Sequence, residues 1–145
     1  MPRAAQTYSN HRRFLPLYHF VVTPILLANV GVEGVRLFNN QSPSQLWSLI
    51  VAVTLLLLAM AARLMALIVQ NRTIRLEERL RLASILPESQ RARIGELRTS
   101  QLIGLRFASD EEAPLLAQRC LDGELGGSGA VKKEVRNWRP DHMRV

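Results

Sequence analysis

Cysteine and histidine, the side chains that most often hold metals, are scarce in this chain. Cys120 is the single cysteine of the 145 residues, so a disulfide framework within the chain and a cysteine metal cluster are both excluded. The three histidines, His11, His19 and His142, lack the spacing of metal ligands. We therefore predict no metal site, and we expect Cys120 to act as a small buried hydrophobic side chain.

Sequence patterns of catalysis and nucleotide binding are also missing. The chain has no Ser-His-Asp arrangement, no Walker motif and no dinucleotide fingerprint. An acidic cluster, Asp110 to Glu112, stands where a helix is expected to begin, and capping of that helix explains it. We therefore predict that the protein is not an enzyme and needs no cofactor.

Charge is nearly absent from the first half of the chain. Residues 14–69 contain only Glu33, Arg36 and Arg63, whereas residues 72–145 are dense in charges of both signs. A chain divided in this way joins an apolar environment to an aqueous one.

The apolar half contains two long uninterrupted runs, residues 14–38 and 46–69. As helices they would extend about 37 and 36 Å, which is enough to cross a hydrocarbon core of about 30 Å. A chain of 145 residues is too short to surround both runs with protein, which argues against a buried hairpin. A cleaved signal peptide is the alternative for the first run, but the small-residue pattern near residues 28–30 is weak. We predict two transmembrane helices.

A short polar loop, residues 39–45, joins the two runs and contains Pro43. It has no positive charge, whereas arginines lie on both outer flanks: Arg3, Arg12, Arg13, Arg72, Arg75, Arg79 and Arg81. By the positive-inside rule both termini are cytoplasmic and the loop is external. Arg36 is the exception, and Glu33 lies one turn earlier on the same helix face to neutralise it.

Arg63 lies about 9 Å inside the inner end of the second run. Its long side chain can extend to the headgroups. The other interpretation is an intramembrane contact with Tyr18 or His19, which enter the first run at a similar depth from the same side. Such a contact would fix the register of the two helices.

Small residues form a stripe along the second run, and the stripe continues past its end. Its members follow three- and four-residue spacing, and the predicted helix-packing face is Ala59, Ala62, Ala66, Leu76, Leu80 and Ala83. The unbroken phase predicts a single helix that leaves the membrane and ends before Pro87. We expect either the tail or a second copy of the chain to cover this stripe.

The extension of the second helix carries opposite charges at helical spacing. Glu77 precedes Arg81 by four residues, and Arg75 precedes Glu78 by three. Pairs of this kind each stabilise an exposed helix by a few tenths of a kcal/mol.

The tail after Pro87 has the start and stop signals of short helices. Thr99, Ser109 and Ser128 are candidate N-caps, Ser109 and Glu112 form a candidate capping box, and Gly123 is a candidate stop. A small core is expected, completed by the membrane-proximal helix, from Leu97, Leu102, Ile103, Leu105, Phe107, Leu115, Leu116, Leu121, Val131, Val135 and Trp138.

The net charge of +7 suggests nucleic-acid binding at first sight. Much of the excess, however, flanks the apolar runs, where membrane topology accounts for it. The C-terminal stretch 132–145 mixes basic and aromatic residues, but a helix that packs Val131, Val135 and Trp138 on the core is the simpler interpretation. A nucleic-acid partner is therefore unlikely in our prediction.

Four stretches of the chain resemble an uncharacterised family of small bacterial two-span membrane proteins, a domain of unknown function. They are YSNHRRFLPLYHF at residues 8–20, RLMALIVQNRTIRLEERLRL at 63–82, LRFASDEE at 105–112 and VKKEVRNWRPDHMRV at 131–145. The resemblance covers nearly the whole chain. It implies a helical hairpin in a bacterial inner membrane, and it implies no activity or binding residue.

Together these features predict an all-α membrane protein: a two-helix transmembrane hairpin whose second helix extends into the cytoplasm, followed by a small bundle of short helices. We expect a multi-pass scaffold or accessory protein of the inner membrane that contacts the lipid bilayer and forms a homo-oligomer or joins a larger membrane complex. The alternatives are a small subunit of a transporter or membrane enzyme and a membrane-tethered nucleic-acid-binding module. The predicted segments are 1–13, 14–38, 39–45, 46–69, 70–86 and 87–145.

Overall fold

The computed structural model describes residues 7–8 and 15–141. The flanking arginines Arg3, Arg12 and Arg13, together with His11 and His142, lie outside the described residues, as do residues 1–6. Within the described part the secondary structure is helical, and the sole β-type contact is an isolated antiparallel bridge between Ala108 and Trp138. The predicted all-α fold is confirmed.

The first long helix begins with a wide π-helical turn, Leu17–Val22, and continues as α1, Thr23–Asn39. Pro24 has no backbone N–H to continue an ordinary helical ladder. The chain before Pro24 forms a wider turn instead, in which the Thr23 N–H donates to the Tyr18 carbonyl, five residues back. The Thr23 hydroxyl donates to the same oxygen at 2.8 Å. The sequence predicts a disturbance at Pro24, and a π-helical turn is the form it takes.

The second long helix, α2, runs without interruption over Pro43–Ile85. It begins three residues earlier than predicted, because Pro43 starts the helix instead of breaking the loop. Proline is favoured at a first helical position, where its missing N–H costs nothing. The helix ends two residues before Pro87, which keeps Leu86 out of helical geometry. The predicted continuous second helix is confirmed.

Two of the described helices are long and apolar enough to cross a membrane, Leu17–Asn39 and Pro43–Ile85. Within the most apolar window of each helix, only 6% of the residues are buried inside the structure. That exposure differs from the core helix of a soluble protein, whose apolar side chains are mostly covered. Two exposed apolar helices of this length fit a small membrane protein.

The chain divides into two compact units, and each is described by itself. One comprises Arg13–Ile68 and contains both apolar helical segments. In it, Glu33 is buried and its carboxylate lies 2.7 Å from the Arg36 guanidinium. The predicted neutralisation of Arg36 by Glu33 is confirmed.

The other unit comprises the chain from Val69 onward, with the described part of the N-terminal segment. Five short helical segments follow α2: α3, Glu88–Arg91; a 3₁₀ turn, Ile94–Glu96; α4, Thr99–Leu105; α5, Ala113–Leu121; and α6, Ser128–Glu134. They pack on the last turns of α2, because Leu82 and Leu86 are almost completely buried in the shared core. The prediction that the membrane-proximal helix completes this core is confirmed.

Most of the predicted core residues are buried, and Leu115 is the clear error. Leu115 is 67% exposed on the outer face of α5, whereas Leu116 and Ala117 face the core. A run of two leucines does not show which of them points inward. Cys120 is buried, as expected.

Helices α4 and α6 pack closely at Gly104. A Cβ atom at this position would lie 2.6 Å from the Cβ of Val131 and 3.2 Å from the Ser128 carbonyl oxygen. The absence of a side chain therefore sets the distance between the two helices. Gly123, at φ +83°, ends α5 as predicted, and the Glu124 N–H donates to the Arg119 carbonyl.

The predicted helix starts are partly corrected. Thr99 lies inside α4, whose preceding residue Arg98 donates its N–H to the Gln101 side chain. Ser109 Oγ accepts the Glu112 N–H at 3.3 Å, which is half of the predicted capping box. The Glu112 carboxylate instead accepts the N–H groups of Arg136 and Asn137. It thereby holds the extended segment after α6, a long-range contact that local spacing does not reveal.

Candidate functional site

The Tyr18 and His19 rings lie 5.2 Å apart, and the hydrogen bonds of these two residues differ from the prediction. The Tyr18 hydroxyl donates to the carbonyl oxygen of Ala59 at 3.2 Å, one turn before Arg63. His19 Nδ1 lies 3.0 Å from the carbonyl oxygen of Leu15 on its own helix. Tyr18 thus joins the two apolar segments, and a contact with Arg63 itself stays a prediction.

The predicted helix-packing face is exposed from Ala62 and Ala66 onward, and Ala59 is half-buried. Leu76 and Leu80 are more than 60% exposed, and Ala83 is exposed as well. The tail packs against another face of α2, which carries Ile74, Glu78 and Leu82 and is continued by Leu86 just after the helix end. We expected either the tail or a second copy of the chain to cover the stripe, and the described part of the tail does not cover it.

A cleft of about 390 Å³ lies where this second face of α2 meets the end of the chain. Its walls combine two apolar side chains with charged side chains of both signs. The lining residues are Ile74, Glu77, Glu78, Arg81, Arg106, Arg139, Pro140 and Asp141. Because α2, the end of α4 and the C-terminal segment all contribute, the cleft exists only in the folded domain.

Glu78 is the most deeply buried charge in the cleft, with 3% of its surface exposed. Its carboxylate pairs with the Arg81 guanidinium at 2.7 Å. Burial raises the pKa of Glu78, and the nearby arginines Arg81, Arg139 and Arg106 oppose this effect only in part.

Arg81 connects helix α2 to the α4–α5 connection. Its guanidinium contacts the Asp110 carboxylate at 2.7 Å and donates to the Ala108 carbonyl at 2.8 Å, besides pairing with Glu78. The predicted helical pairs, Glu77 with Arg81 and Arg75 with Glu78, are wrong. The Arg81 side chain points toward the domain because the Asp110 carboxylate and the Ala108 carbonyl accept its hydrogen bonds there. Glu77 therefore makes no ion pair with Arg81 and stays exposed.

Arg106 is the second buried arginine, with 7% of its surface exposed. It lies 3.1 Å from the Asp141 carboxylate and 4.4 Å above the centre of the Phe107 ring. The Lys132 ammonium lies 5.0 Å from the same ring. These cation–π contacts stabilise two buried basic groups against one aromatic ring.

The single cysteine and the residue types that bind metals are the other candidates for chemistry in the described part of the chain. Cys120 is buried, and burial raises its pKa to about 11, so its thiol is protonated at neutral pH. In the described part of the chain, no group of three or more His, Cys, Asp or Glu side chains is placed to hold a metal ion.

Sequence reasoning missed Glu78, Arg106, Arg139 and Asp141 as members of one site. One signal was available: Glu78 shares helical spacing with the apolar residues Ile74, Leu82 and Leu86. A charge inside an apolar stripe indicates a buried ion pair. Arg106 and Asp141 had no such signal, because their contact joins residues far apart in the chain.

The fold and the cleft define a small all-α protein with two helices of membrane-spanning length and a compact helical domain. The chain belongs to the family of unknown function DUF6526, whose family model matches residues 1–145. No curated protein and no solved structure matches it. The resemblance to an uncharacterised family of small proteins is thus confirmed, and the family brings no assigned activity.

Proposed function

We propose that this protein is a non-catalytic scaffold or accessory protein of the bacterial inner membrane, with both termini in the cytoplasm, that self-associates through helix α2. The observation that carries the proposal is the exposed stripe of Leu76 and Leu80 beside a face that the domain already covers. The tail does not cover the stripe, and an exposed apolar stripe of this kind marks an interaction surface.

A second copy of the chain is the partner that the heptad pattern favours. From Ala59 to Ala83 the stripe occupies successive a and d positions of a coiled coil, with Thr73 and Leu80 at a and Leu76 at d. Two copies inserted in one membrane have parallel helices, so the pattern is in register between them. Ala59, Ala62 and Ala66 then allow close approach inside the lipid.

The charges beside the stripe fit a parallel pair. Arg72 occupies a g position and Glu77 the following e′ position, and these positions meet across a parallel coiled coil. Both side chains are exposed. Neither makes an ion pair with a described residue of its own chain. Two symmetric Arg72–Glu77 pairs would therefore add electrostatic complementarity to the apolar contact.

The nucleic-acid alternative has less support from the geometry. Lys132 is buried against the Phe107 ring. Glu134 pairs with Arg119 at 2.7 Å close to Lys133 in the chain. A continuous basic surface of the kind that tracks a phosphate backbone is therefore weakened at its centre.

The test is the native mass of the complex after gentle extraction from its own membrane. Self-association predicts a simple multiple of 16.4 kDa. Arg72→Glu or Glu77→Arg alone should shift the complex toward the monomer, and the double variant should restore it. Arg75→Glu is the matched control, because Arg75 is exposed and lies outside the stripe.

Other outcomes would contradict self-association. A monomer in the native extract, or single charge reversals that behave like Arg75→Glu, would remove the parallel pair. A larger mass that contains foreign chains would instead favour a small subunit of a transporter or membrane enzyme.

A further inference from the structure

The arginines of the cleft are not equally engaged. Arg81 is paired with Glu78 and Asp110, and Arg106 is paired with Asp141. Arg139 lines the same cleft, and only its backbone N–H, which donates to the Phe107 carbonyl, has a hydrogen bond among the described residues.

The Arg139 guanidinium is therefore the donor of the cleft that remains available. A guanidinium is a planar fork of N–H groups that fits two oxygens of a phosphate at once. Arg106 lines the same cleft and is paired with Asp141, so it offers a second guanidinium beside the site without being a free positive charge. Glu77 also lines the cleft, but it is exposed, so water screens its repulsion of an anion.

The size and the position of the cleft indicate the kind of anion. Its volume of about 390 Å³ falls within the range of small-molecule sites. Ile74, on its wall, follows the last residue of the apolar run, Val69, by about 7 Å of helical rise on α2. Phospholipid headgroups occupy a layer of roughly that depth outside the hydrocarbon core. Basic side chains next to transmembrane helices contact lipid phosphates in this layer, and Arg139 is the side chain of this cleft placed to do so.

We propose that the cleft between α2 and the C-terminal segment binds a phosphate group, held by the Arg139 guanidinium and supported by Arg106. The phosphate is that of a phospholipid headgroup or of a small soluble phosphate, and both present the same oxygens. The inference shares the membrane placement of the proposed function but is independent of self-association, so either can fail alone.

The experiment uses the full chain in maltoside micelles, which contain no phosphate. Trp138 is the neighbour of Arg139, which lines the cleft, and serves as the fluorescent probe; Trp47→Phe removes the other tryptophan. One arm titrates inorganic phosphate at constant ionic strength, and the other titrates short-chain phosphatidylglycerol. Saturable change of Trp138 fluorescence is expected in at least one arm.

The variants separate a site from general surface charge. Arg139→Gln should weaken binding about tenfold, the effect of losing a charge-assisted hydrogen bond. Arg136→Gln, an exposed arginine that does not line this cleft, should leave binding unchanged. If Arg139→Gln changes the melting temperature, Arg139→Lys is used as the test variant instead. Arg139→Lys should also bind phosphate more weakly than the unmodified protein, because lysine lacks the planar guanidinium fork.

Each result decides the proposal. Saturation by inorganic phosphate that depends on Arg139 identifies a soluble phosphate site. Saturation by phosphatidylglycerol alone, with the same dependence, identifies a headgroup site. Equal losses in Arg136→Gln and Arg139→Gln, or no saturation in either arm, would overturn it.

Discussion

Arg81 and Glu78 make the closest contact between charged groups in the cleft; Glu78 is almost fully buried, and the Arg81 side chain is 12% exposed. A buried ion pair costs desolvation, and its net contribution to stability is small when both partners are present. The loss of one partner is different, because the remaining charge is then buried without compensation.

We predict that Arg81→Met lowers the free energy of unfolding by about 3 kcal/mol, because it leaves Glu78 buried and alone. The double variant Glu78→Leu with Arg81→Met should recover most of this loss. Unfolding in detergent, followed by Trp138 fluorescence in the Trp47→Phe background, measures both. Arg91→Met is the control, since its pair with Glu88 is exposed and contributes at most about 0.5 kcal/mol. Equal effects of Arg81→Met and Arg91→Met would contradict the prediction.

Glu78 also gives the domain a distinct pH dependence. Burial raises its pKa above the ordinary value of 4.5, so between 4.5 and the folded-state pKa the folded chain holds a proton that the unfolded chain has released. The contribution of Glu78 to stability is therefore complete below pH 4.5 and is lost as the pH rises through the folded-state pKa.

Comparison with Glu78→Gln isolates this effect. We predict that the stability of the unmodified protein, relative to Glu78→Gln, declines as the pH rises from 4.5 toward neutrality. Glu96 and Glu134 are exposed carboxylates whose pKa is lowered. Their contributions to the pH dependence of stability cancel in this comparison, because both proteins contain them. A difference that instead grows with pH would mean that the Arg81 ion pair outweighs desolvation.

At the scale of the elements, the contact between α4 and α6 depends on Gly104. We predict that Gly104→Ala lowers the free energy of unfolding by about 2 kcal/mol, because the added Cβ meets the Cβ of Val131 at 2.6 Å and the helices must move apart. Gly95→Ala is the matched control, since its Cβ meets nothing within 4 Å. Similar melting of the two variants would show that α6 adjusts freely.

The pairing of the two apolar segments depends on a different kind of contact. We predict that Tyr18→Phe loosens the hairpin by about 0.6 kcal/mol, a typical value for a hydrogen bond between membrane helices. Arg63→Leu should have a similar effect only if Arg63 contacts Tyr18 or His19. Thermal melting in detergent distinguishes the cases, and unchanged melting of Arg63→Leu would favour a side chain that extends to the headgroups.

At the scale of the whole molecule, the proposed topology predicts which positions an impermeant maleimide reaches in spheroplasts. Cys120 is buried and its pKa is raised to about 11, so the unmodified protein should stay unlabelled. Asn40→Cys, on the exposed loop, should react in intact spheroplasts. Lys133→Cys, exposed on the domain, should react only after permeabilisation. The reverse pattern would invert the topology.

The sequence by itself determined the helices. Long apolar runs with few charges predict the two apolar segments, and the absence of proline and glycine between residues 44 and 86 predicts that α2 continues past its apolar part. Pro87 and Gly123 mark helix ends because they restrict or permit backbone angles locally. These features need only neighbouring residues, so the pattern reveals them.

Only the tertiary structure decided which face of α2 the tail covers. Two stripes carry apolar residues at helical spacing, and the one that contains Glu78 is the one that is buried. That choice is favourable because Arg81 neutralises Glu78 and is itself held by Asp110 and Ala108, which are 29 and 27 residues away. Contacts between distant residues compensate the buried charge, and a pattern read along the chain does not contain them.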